Sequence, residues 1–567
     1  MNQDSQPQED SAEAASAGKP KERGRTFFGV NPIKIVFAME YVLQGIANPF
    51  QGITYQPFFK HFTVDYKLTE AAAQNLFSQS YLAWSFKPVL GFLIDAYGKT
   101  KVILTFLLAA SVVFYLFAPV IDRNVTVFFW YMFIFSVLLA ARDVSVDRAT
   151  VVVGDAEAKE SGQSKSTTVG LNQSICWAAI YGTSIIASVG GGWIADNAPF
   201  NWLMIGLALV PIPALLVVFY LPKDKASAIP LKESFLNFWN GLNTGPVMWI
   251  IVFYFMFHFQ PAMGALWTNY MIETLKFTQT QIGISDGFSY FGYFVGVLLF
   301  AKFGVRWQDR WGLKRVFQVV IILSILANLT QYLTVEPWFT RITDSLAASM
   351  PFLSKMQVRL GFMCVYGVTL SVFVGFTRMC TFSLVGAVIP TKAAGSLFAG
   401  FMSVANLAYS LSYASGAWLY THGLEYGFMR SLQQGVFGIP GVAGAEMSIA
   451  MLILIGSAAY LLSFAACHML PDQRETIATE DAAELMVGPE HFAKLGKDLL
   501  RKVDIAACVV MALLLILTIH TWGFDVISSV LLCFFAVVFL RKVYLDHRYG
   551  LIAQENGQGW KQTPDRG

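Results

Sequence analysis

Four ionisable side chains lie inside long apolar stretches of this chain. A charged group is costly there, and it usually pairs with another group or serves a function. The four are Glu40, Lys87, Asp143 and Asp147. The two aspartates are four residues apart on a predicted helix, so they share one face. We expect Lys87 to pair with Asp143 or Asp147, and Glu40 or the unpaired aspartate to carry a coupling proton, because burial brings a carboxyl closer to neutral titration.

The same residues fit a second interpretation, a static network of ion pairs that holds three helices together. This structural role suits Asp147 and its neighbour Arg148 best, since both lie nearest to one end of their predicted helix. Charged residues inside a membrane span usually pair with one another whether or not they move protons. Sequence spacing alone leaves both interpretations open.

Arg378 lies on another apolar stretch, with no acid or base close to it in sequence. A guanidinium that faces a cavity presents a planar fork of donors, which suits a carboxylate or the edge of a heterocycle. We expect it to bind a small-molecule substrate together with Lys87; the alternative is pairing with an acid on another helix. Three amides on apolar helices are further candidates for substrate binding or for joining helices: Gln44, Gln173 and Asn406.

The elements that position these residues are membrane-spanning helices. Only 14% of the 567 residues are charged and 55% are hydrophobic, whereas soluble domains have about 25% charged residues. Apolar runs of about 20 residues recur, enough to cross about 30 Å of hydrocarbon, and their continuity favours helices over a barrel. The predicted fold class is an all-α polytopic membrane protein, which excludes a soluble enzyme and a secreted disulfide scaffold.

Several ligand classes find no support in the sequence. A net charge of +3 without basic, aromatic-rich stretches gives no indication of nucleic acid. No Cys/His metal spacing and no phosphate-binding G-x-x-x-x-G-K-[ST] loop occur. We therefore expect neither a metal nor a cofactor, and no ATP as energy source. The expected partners are a small-molecule substrate, protons and the lipid bilayer, around a monomer.

The apolar runs predict twelve helices and a shorter final hairpin, about 14 transmembrane helices in all. Two echoes indicate duplicated halves. The segment 91–101 after the second span is repeated more loosely at 309–315 after the eighth, and Arg142 stands twelve residues before Gly154 as Arg378 does before Pro390. Repeated halves are typical of secondary transporters. The predicted segments are a polar tail (1–30), a six-helix bundle (31–222), a central loop (223–245), a second six-helix bundle (246–470), a linker with an amphipathic helix (471–503), an additional hairpin (504–543) and a second tail (544–567).

Basic residues predict the orientation of the chain. They cluster before the first helix and after the eighth, at Lys19, Lys21, Arg23, Arg25, Arg310, Lys314 and Arg315. Because cytoplasmic loops are enriched in lysine and arginine, both termini are expected in the cytoplasm. The polar N-terminal segment has no apolar core of a cleavable signal, so we expect an uncleaved protein of the cell membrane.

The end of the second span reads G-x-x-x-D-x-x-G-K, formed by Gly91, Asp95, Gly98 and Lys99. This segment resembles the cytoplasmic loop motif of the major facilitator superfamily. Asp95 can meet the N-terminus of a neighbouring helix, whose dipole favours an anion. Gly91 allows close helix packing, and Lys99 can pair with an acid or a headgroup. We predict a gate between the two halves, with an ordinary interhelical turn as the alternative.

A narrower resemblance, to the folate–biopterin transporter family of that superfamily, rests on five stretches. They are Tyr41-Val-Leu-Gln-Gly-Ile, Trp84-Ser-Phe-Lys-Pro-Val-Leu-Gly-Phe-Leu-Ile-Asp95, Arg142-Asp-Val-Ser-Val-Asp147, Gln173-Ser-Ile-Cys-Trp177 and the segment 398–406. The chain departs from the family pattern in having no glutamate after Pro390 and in carrying Arg148 where a small residue is typical. The resemblance implies proton-coupled symport of a folate, a pterin or a related small heterocyclic anion by alternating access between two six-helix bundles.

Other functions remain as alternatives. The substrate could be S-adenosylmethionine-like, a muropeptide or another organic anion carried on the same kind of fold. A polytopic membrane enzyme would need a catalytic constellation, and no H-E-x-x-H or Ser/His arrangement is found. A receptor or scaffold would have no reason to keep charges at bilayer depth. Transport is the favoured hypothesis, and the chain is not expected to be an enzyme.

Overall fold

The protein is almost wholly helical in a computed structural model that describes residues 32–48, 52–162, 165–219, 230–232, 245–261, 263–388, 394–425, 430, 445–467 and 470. No strand occurs within those ranges, and eight of their helices are long and apolar enough to cross a membrane. The predicted all-α polytopic membrane fold is confirmed. The tail 1–30, the linker 471–503, the hairpin 504–543 and Pro390 lie outside the described residues, so the total of 14 helices stays a prediction.

The first half follows the predicted spans, with breaks at prolines. Its helices are α1 (Pro32–Ala47), α2 (Tyr55–Lys60), α3 (Glu70–Trp84), α4 (Lys87–Tyr97), α5 (Thr100–Ile121), α6 (Val125–Ser161), α7 (Lys165–Asn197), α8 (Phe200–Leu207) and α9 (Pro211–Phe219). The second predicted span divides into α3 and α4 because Pro88, in the first turn of α4, cannot continue a preceding helix. This break places Lys87 at the first turn of a new helix.

The second half has the same character. Its helices are α10 (Gly245–His258), α11 (Gly264–Glu273), α12 (Gln279–Leu299), α13 (Val305–Trp311), α14 (Leu313–Thr330), α15 (Trp338–Ser349), α16 (Lys355–Val388), α17 (Ala394–His422) and α18 (Ala445–Ala466). The chain turns between α10 and α11 at Gln260-Pro261. Helix α15 has one apolar face and was not predicted, since its 12 residues are too short and too polar for a span.

The two halves meet along two seams. Helix α7 packs against α12 and α16, and α17 packs against α3, α4 and α6. Polar contacts join the halves at both ends of these seams. At one end Asp95 of α4 accepts a hydrogen bond from the backbone N–H of Ser396 on α17 (3.2 Å). At the other, Asp196 of α7 accepts one from the backbone N–H of Thr280 on α12 (2.8 Å).

Glycines set how closely α7 and α12 approach. A Cβ at Gly192 would lie 2.4 Å from the carbonyl oxygen of Gln279, and one at Gly283 would lie 2.4 Å from that of Ser188. Both neighbouring atoms belong to the backbone, so they cannot move away as the end of a flexible side chain could. At Gly190, by contrast, a Cβ would make only an ordinary contact, 3.6 Å from Cδ1 of Ile53.

The pair Gly192 and Gly190 therefore gives a matched test. We expect Gly192→Ala to lower the free energy of unfolding by about 1–3 kcal/mol, because the added methyl forces the helices apart. Gly190→Ala should be neutral or stabilising by up to about 1 kcal/mol, since alanine is the better helix former. The measurement is the unfolding midpoint of each purified variant. Equal midpoints for the two variants would contradict the close α7–α12 approach.

Candidate functional site

Lys87 and Asp143 form a buried ion pair between α4 and α6. The Nζ of Lys87 donates to Oδ2 of Asp143, and both side chains are buried. The ammonium also lies 5.0 Å from the ring centroid of Trp84. Gln44 of α1 donates through Nε2 to the other carboxylate oxygen of Asp143 (2.6 Å). Asp143 of α6 thus receives a lysine from α4 and an amide from α1.

Glu40 and Arg142 form a second buried pair, which the sequence analysis did not anticipate. The Nε of Arg142 lies 2.6 Å from Oε2 of Glu40, at an angle that does not make a hydrogen bond. The guanidinium also donates to Oγ of Ser111 (3.3 Å). Arg142 had been considered only as an echo of Arg378. Glu40 is thereby a paired carboxylate.

Asp147 is the carboxyl of this cluster that no cation contacts within the described residues. Its Oδ1 accepts hydrogen bonds from the hydroxyl of Tyr41 (2.9 Å) and from Nε2 of Gln173 (3.2 Å). Its Oδ2 is buried without a hydrogen-bond partner. Two cations and three carboxylates make up the cluster, so one carboxyl is in excess. A proton on Asp147 would leave the group electrically neutral.

The cluster as a whole resolves several sequence-based expectations. Of the two partners predicted for Lys87, the structure selects Asp143. The amides of Gln44 and Gln173 hydrogen-bond the two aspartates, and Gln173 also donates to Oγ1 of Thr150 (2.9 Å). These contacts fit the alternative in which the amides join helices. Their predicted role in substrate binding stays a prediction.

Breaking the Lys87–Asp143 pair should destabilise the protein. Lys87→Met leaves an unpaired buried carboxylate, which we expect to lower the free energy of unfolding by about 3–5 kcal/mol. The double variant Lys87→Met, Asp143→Leu should recover most of that loss. The control is Lys34→Met: its 2.7 Å pair with Glu157 is about 30% exposed, and such pairs contribute about 0–1 kcal/mol. Equal thermal midpoints for Lys87→Met and Lys34→Met would contradict the buried pair.

Arg378 occupies a different environment, among aromatic rings between the halves. It donates from one guanidinium nitrogen to the hydroxyl of Tyr181 on α7 (2.8 Å) and from another to that of Tyr409 on α17 (2.6 Å). Its Cζ lies 4.9 Å from the ring centroid of Trp177. No carboxylate pairs with it in the described part of the chain, so the alternative of an acid on another helix is not observed.

Arg378 and some of the side chains around it are only partly buried, whereas Tyr181 is buried, so the guanidinium borders an accessible space on one side. Arg378, Trp177 and Tyr409 are each half-buried. Asn406 is half-buried on α17, and its amide has no hydrogen-bond partner among the described residues. A guanidinium held by neutral hydroxyls keeps its full charge available for an incoming anion.

Asp95 of the G-x-x-x-D-x-x-G-K motif contacts a helix of each half. Asp95 accepts from Nε of Arg148 on α6 (2.7 Å) and from the N-terminal turn of α17. Gly91 is buried on α4, and Gly98 ends that helix at φ +65°, a conformation that favours glycine. Lys99 is exposed and lies 5.6 Å from the ring centroid of Tyr97, with no acid paired to it within the described ranges. Arg148, a departure from the family pattern, thus supports the aspartate of the motif.

One ionisable residue of the inter-half space was missed. Asp286 lies in α12, inside the eighth predicted span, and accepts a hydrogen bond from Nε2 of Gln56 (3.2 Å). Its position in a long apolar run was a sufficient signal, because every charge at bilayer depth is a candidate for function. Gln56, on α2 near the end of the first predicted span, was also missed, because an uncharged amide gives no comparable signal in the sequence.

The chain matches one family model and several solved structures. The model of the BT1 family matches residues 44–488. A bacterial homologue of the iron transporter ferroportin in an outward-facing state is 13% identical, with 77% of this chain and 97% of that chain covered and a TM-score of 0.48. For the human organic anion transporter MFSD10 (TETRAN) the values are 12%, 77%, 98% and 0.48. For a variant of the nucleoside transporter NupG they are 14%, 77%, 98% and 0.48. No protein with a curated description matches the chain.

Proposed function

The chain belongs to the BT1 family and is a multi-pass membrane transporter; from this premise we propose that it carries a folate, a pterin or a related small heterocyclic anion by proton-coupled symport. The two halves would rock around a central site so that the site faces each side in turn. We further propose that it acts as a monomer in the cell membrane, with both termini in the cytoplasm.

The environment of Arg378 is the observation that supports an anionic substrate. A cation that deep in the protein is normally paired with an acid. Among the described residues, the guanidinium has only the hydroxyls of Tyr181 and Tyr409 as acceptors, with the ring of Trp177 beside it. A substrate carboxylate would replace neutral acceptors by charged ones, and a flat heterocycle could stack on the rings.

The excess carboxyl of the first half supports proton coupling. Asp147 has no cation partner among the described residues, and one of its oxygens lacks a hydrogen-bond donor. That oxygen is the natural place for a proton. Glu40 is the weaker candidate because Arg142 already neutralises it. The gate role of Gly91, Asp95, Gly98 and Lys99 forms part of the same proposal, with Asp95 joining α4 to α17.

The decisive experiment is uptake of labelled folate and biopterin into proteoliposomes, with and without an inward acid gradient. We expect accumulation of at least one substrate, and we expect a protonophore that collapses the gradient to abolish it. Uptake that ignores the gradient would contradict coupling and leave the substrate class intact. Uptake of neither compound would contradict the substrate class, and an S-adenosylmethionine-like solute or a muropeptide would be tested next.

A further inference from the structure

Asp286 and Gln56 form a small acceptor-rich site between α12 and α2. The carboxylate of Asp286 is half-buried, and no lysine or arginine pairs with it in the part of the chain that the structure describes. Gln56 is 1% exposed, and its Oε1 is buried without a hydrogen-bond donor. The site therefore holds an unneutralised carboxylate and an unused carbonyl oxygen side by side. The carbonyl oxygen of Gln56 has no donor, and the carboxylate of Asp286 accepts from the amide of Gln56.

Tyrosine rings surround these acceptors. The hydroxyl of Tyr55, next to Gln56, shares one hydrogen bond with Oγ1 of Thr268 on α11 (3.2 Å), in which either group can be the donor. Tyr290 lies one helical turn after Asp286 and within electrostatic range of it and of Tyr81. These three tyrosines are each half-buried, so their rings border an accessible space. Aromatic faces beside an acceptor pair suit a flat, donor-bearing group.

The same row of rings leads to Arg378. On α12, Tyr293 follows Asp286 by seven residues, which is about 10 Å along a helix. The ring of Tyr293 stacks on that of Tyr181 at 5.0 Å between centroids. Tyr181 in turn accepts the hydrogen bond from Arg378. A row of aromatic rings thus links the carboxylate of Asp286 to the guanidinium of Arg378.

We propose that Asp286 and Gln56 bind the N–H edge of the substrate's amino-heterocycle while Arg378 binds its acidic end. This proposal rests on the proposed function, because it names the two ends of that substrate. A 2-amino-4-oxopyrimidine ring, as in pterins, presents neighbouring N–H donors that match the two oxygens of a carboxylate. The carboxylates of the substrate are left for Arg378, whose guanidinium binds charged oxygens more strongly than the neutral acceptors of the ring.

Two fragments test the proposal on the full-length purified protein. Biopterin has the heterocycle without a carboxylate, and p-aminobenzoylglutamate has the carboxylates without the heterocycle. By titration calorimetry, Asp286→Asn should weaken biopterin about tenfold or more and leave p-aminobenzoylglutamate within about twofold. Arg378→Gln should give the opposite pattern. Asp344→Asn, an exposed aspartate on α15, is the matched control and should change neither affinity.

The other possible results distinguish a failure of the proposed function from a failure of the site at Asp286. If wild-type protein binds neither fragment nor folate, the proposed function fails. If it binds biopterin and Asp286→Asn binds equally well, the site at Asp286 is overturned while the proposed function stands. Asp286→Asn that keeps biopterin affinity and loses only its response to an acid gradient would make Asp286 a proton carrier and would also overturn the site. Gln56→Met should weaken biopterin several-fold, which tests the site by a second residue without altering charge.

Discussion

Arg378→Gln is expected to reduce substrate uptake by about 100-fold or more while the protein still inserts and folds. In the described structure the guanidinium is bound only by two tyrosine hydroxyls and aromatic rings, so its removal leaves no buried carboxylate unpaired. The loss should therefore fall on substrate binding. Truncating one partner of a desolvated charge pair commonly costs about 2–5 kcal/mol of binding free energy.

Two further variants make this prediction specific. Arg378→Lys keeps the charge but loses the planar fork, so we expect uptake between that of wild type and Arg378→Gln. Arg341→Gln removes an exposed arginine of α15 that lies 5.6 Å from the ring centroid of Trp338, and it should transport normally. The measurement is the initial rate of uptake per correctly inserted protein. A low thermal midpoint for Arg378→Gln, with normal transport by its folded fraction, would indicate a structural role instead.

Asp147→Asn is expected to abolish accumulation driven by an acid gradient and to preserve exchange of substrate across the membrane. Asparagine has the shape of a protonated aspartate, and its oxygen can still accept from Tyr41 and Gln173. The variant therefore resembles a carrier that cannot release its proton. Such a carrier should still turn between its two states with substrate bound.

Counterflow into preloaded liposomes separates these two outcomes. Wild type should show both gradient-driven accumulation and counterflow, whereas Asp147→Asn should show counterflow alone. Glu40→Gln is the instructive comparison, because it leaves Arg142 without its partner and should mainly destabilise the protein. Accumulation by Asp147→Asn at the wild-type level would assign the coupling proton to another carboxyl.

Hydropathy predicted the fold well because each helix that crosses the bilayer needs a long run of apolar side chains. This pattern is visible without knowing which helices pack together. The break at Pro88 was not predicted, and it divides the second predicted span into α3 and α4. The sequence left two possible partners for Lys87, Asp143 and Asp147, because both lie on one face of the same helix. The choice between them depends on Gln44, which lies on another helix.

The sequence could not predict contacts that depend on how helices cross. Arg142 and Glu40 lie on α6 and α1, and nothing in their spacing indicates that they meet. The partners of Arg378 are 197 and 31 residues away. Asp286 was overlooked although its own position was visible, while the unused acceptor of Gln56 is apparent only in three dimensions.

The balance of buried charges has a consequence for the membrane potential. The cluster around Lys87, together with Arg378 and Asp286, contains three cations and four carboxylates among the described residues. They are Lys87, Arg142, Arg378, Glu40, Asp143, Asp147 and Asp286. One proton on Asp147 brings their sum to zero. A net charge moved through the field changes the free energy by about 2.3 kcal/mol per 100 mV. The protonated carrier would therefore cross the field with only the charge of its substrate. The empty carrier of a symport cycle returns without the proton, so its single net negative charge would make that step depend on voltage.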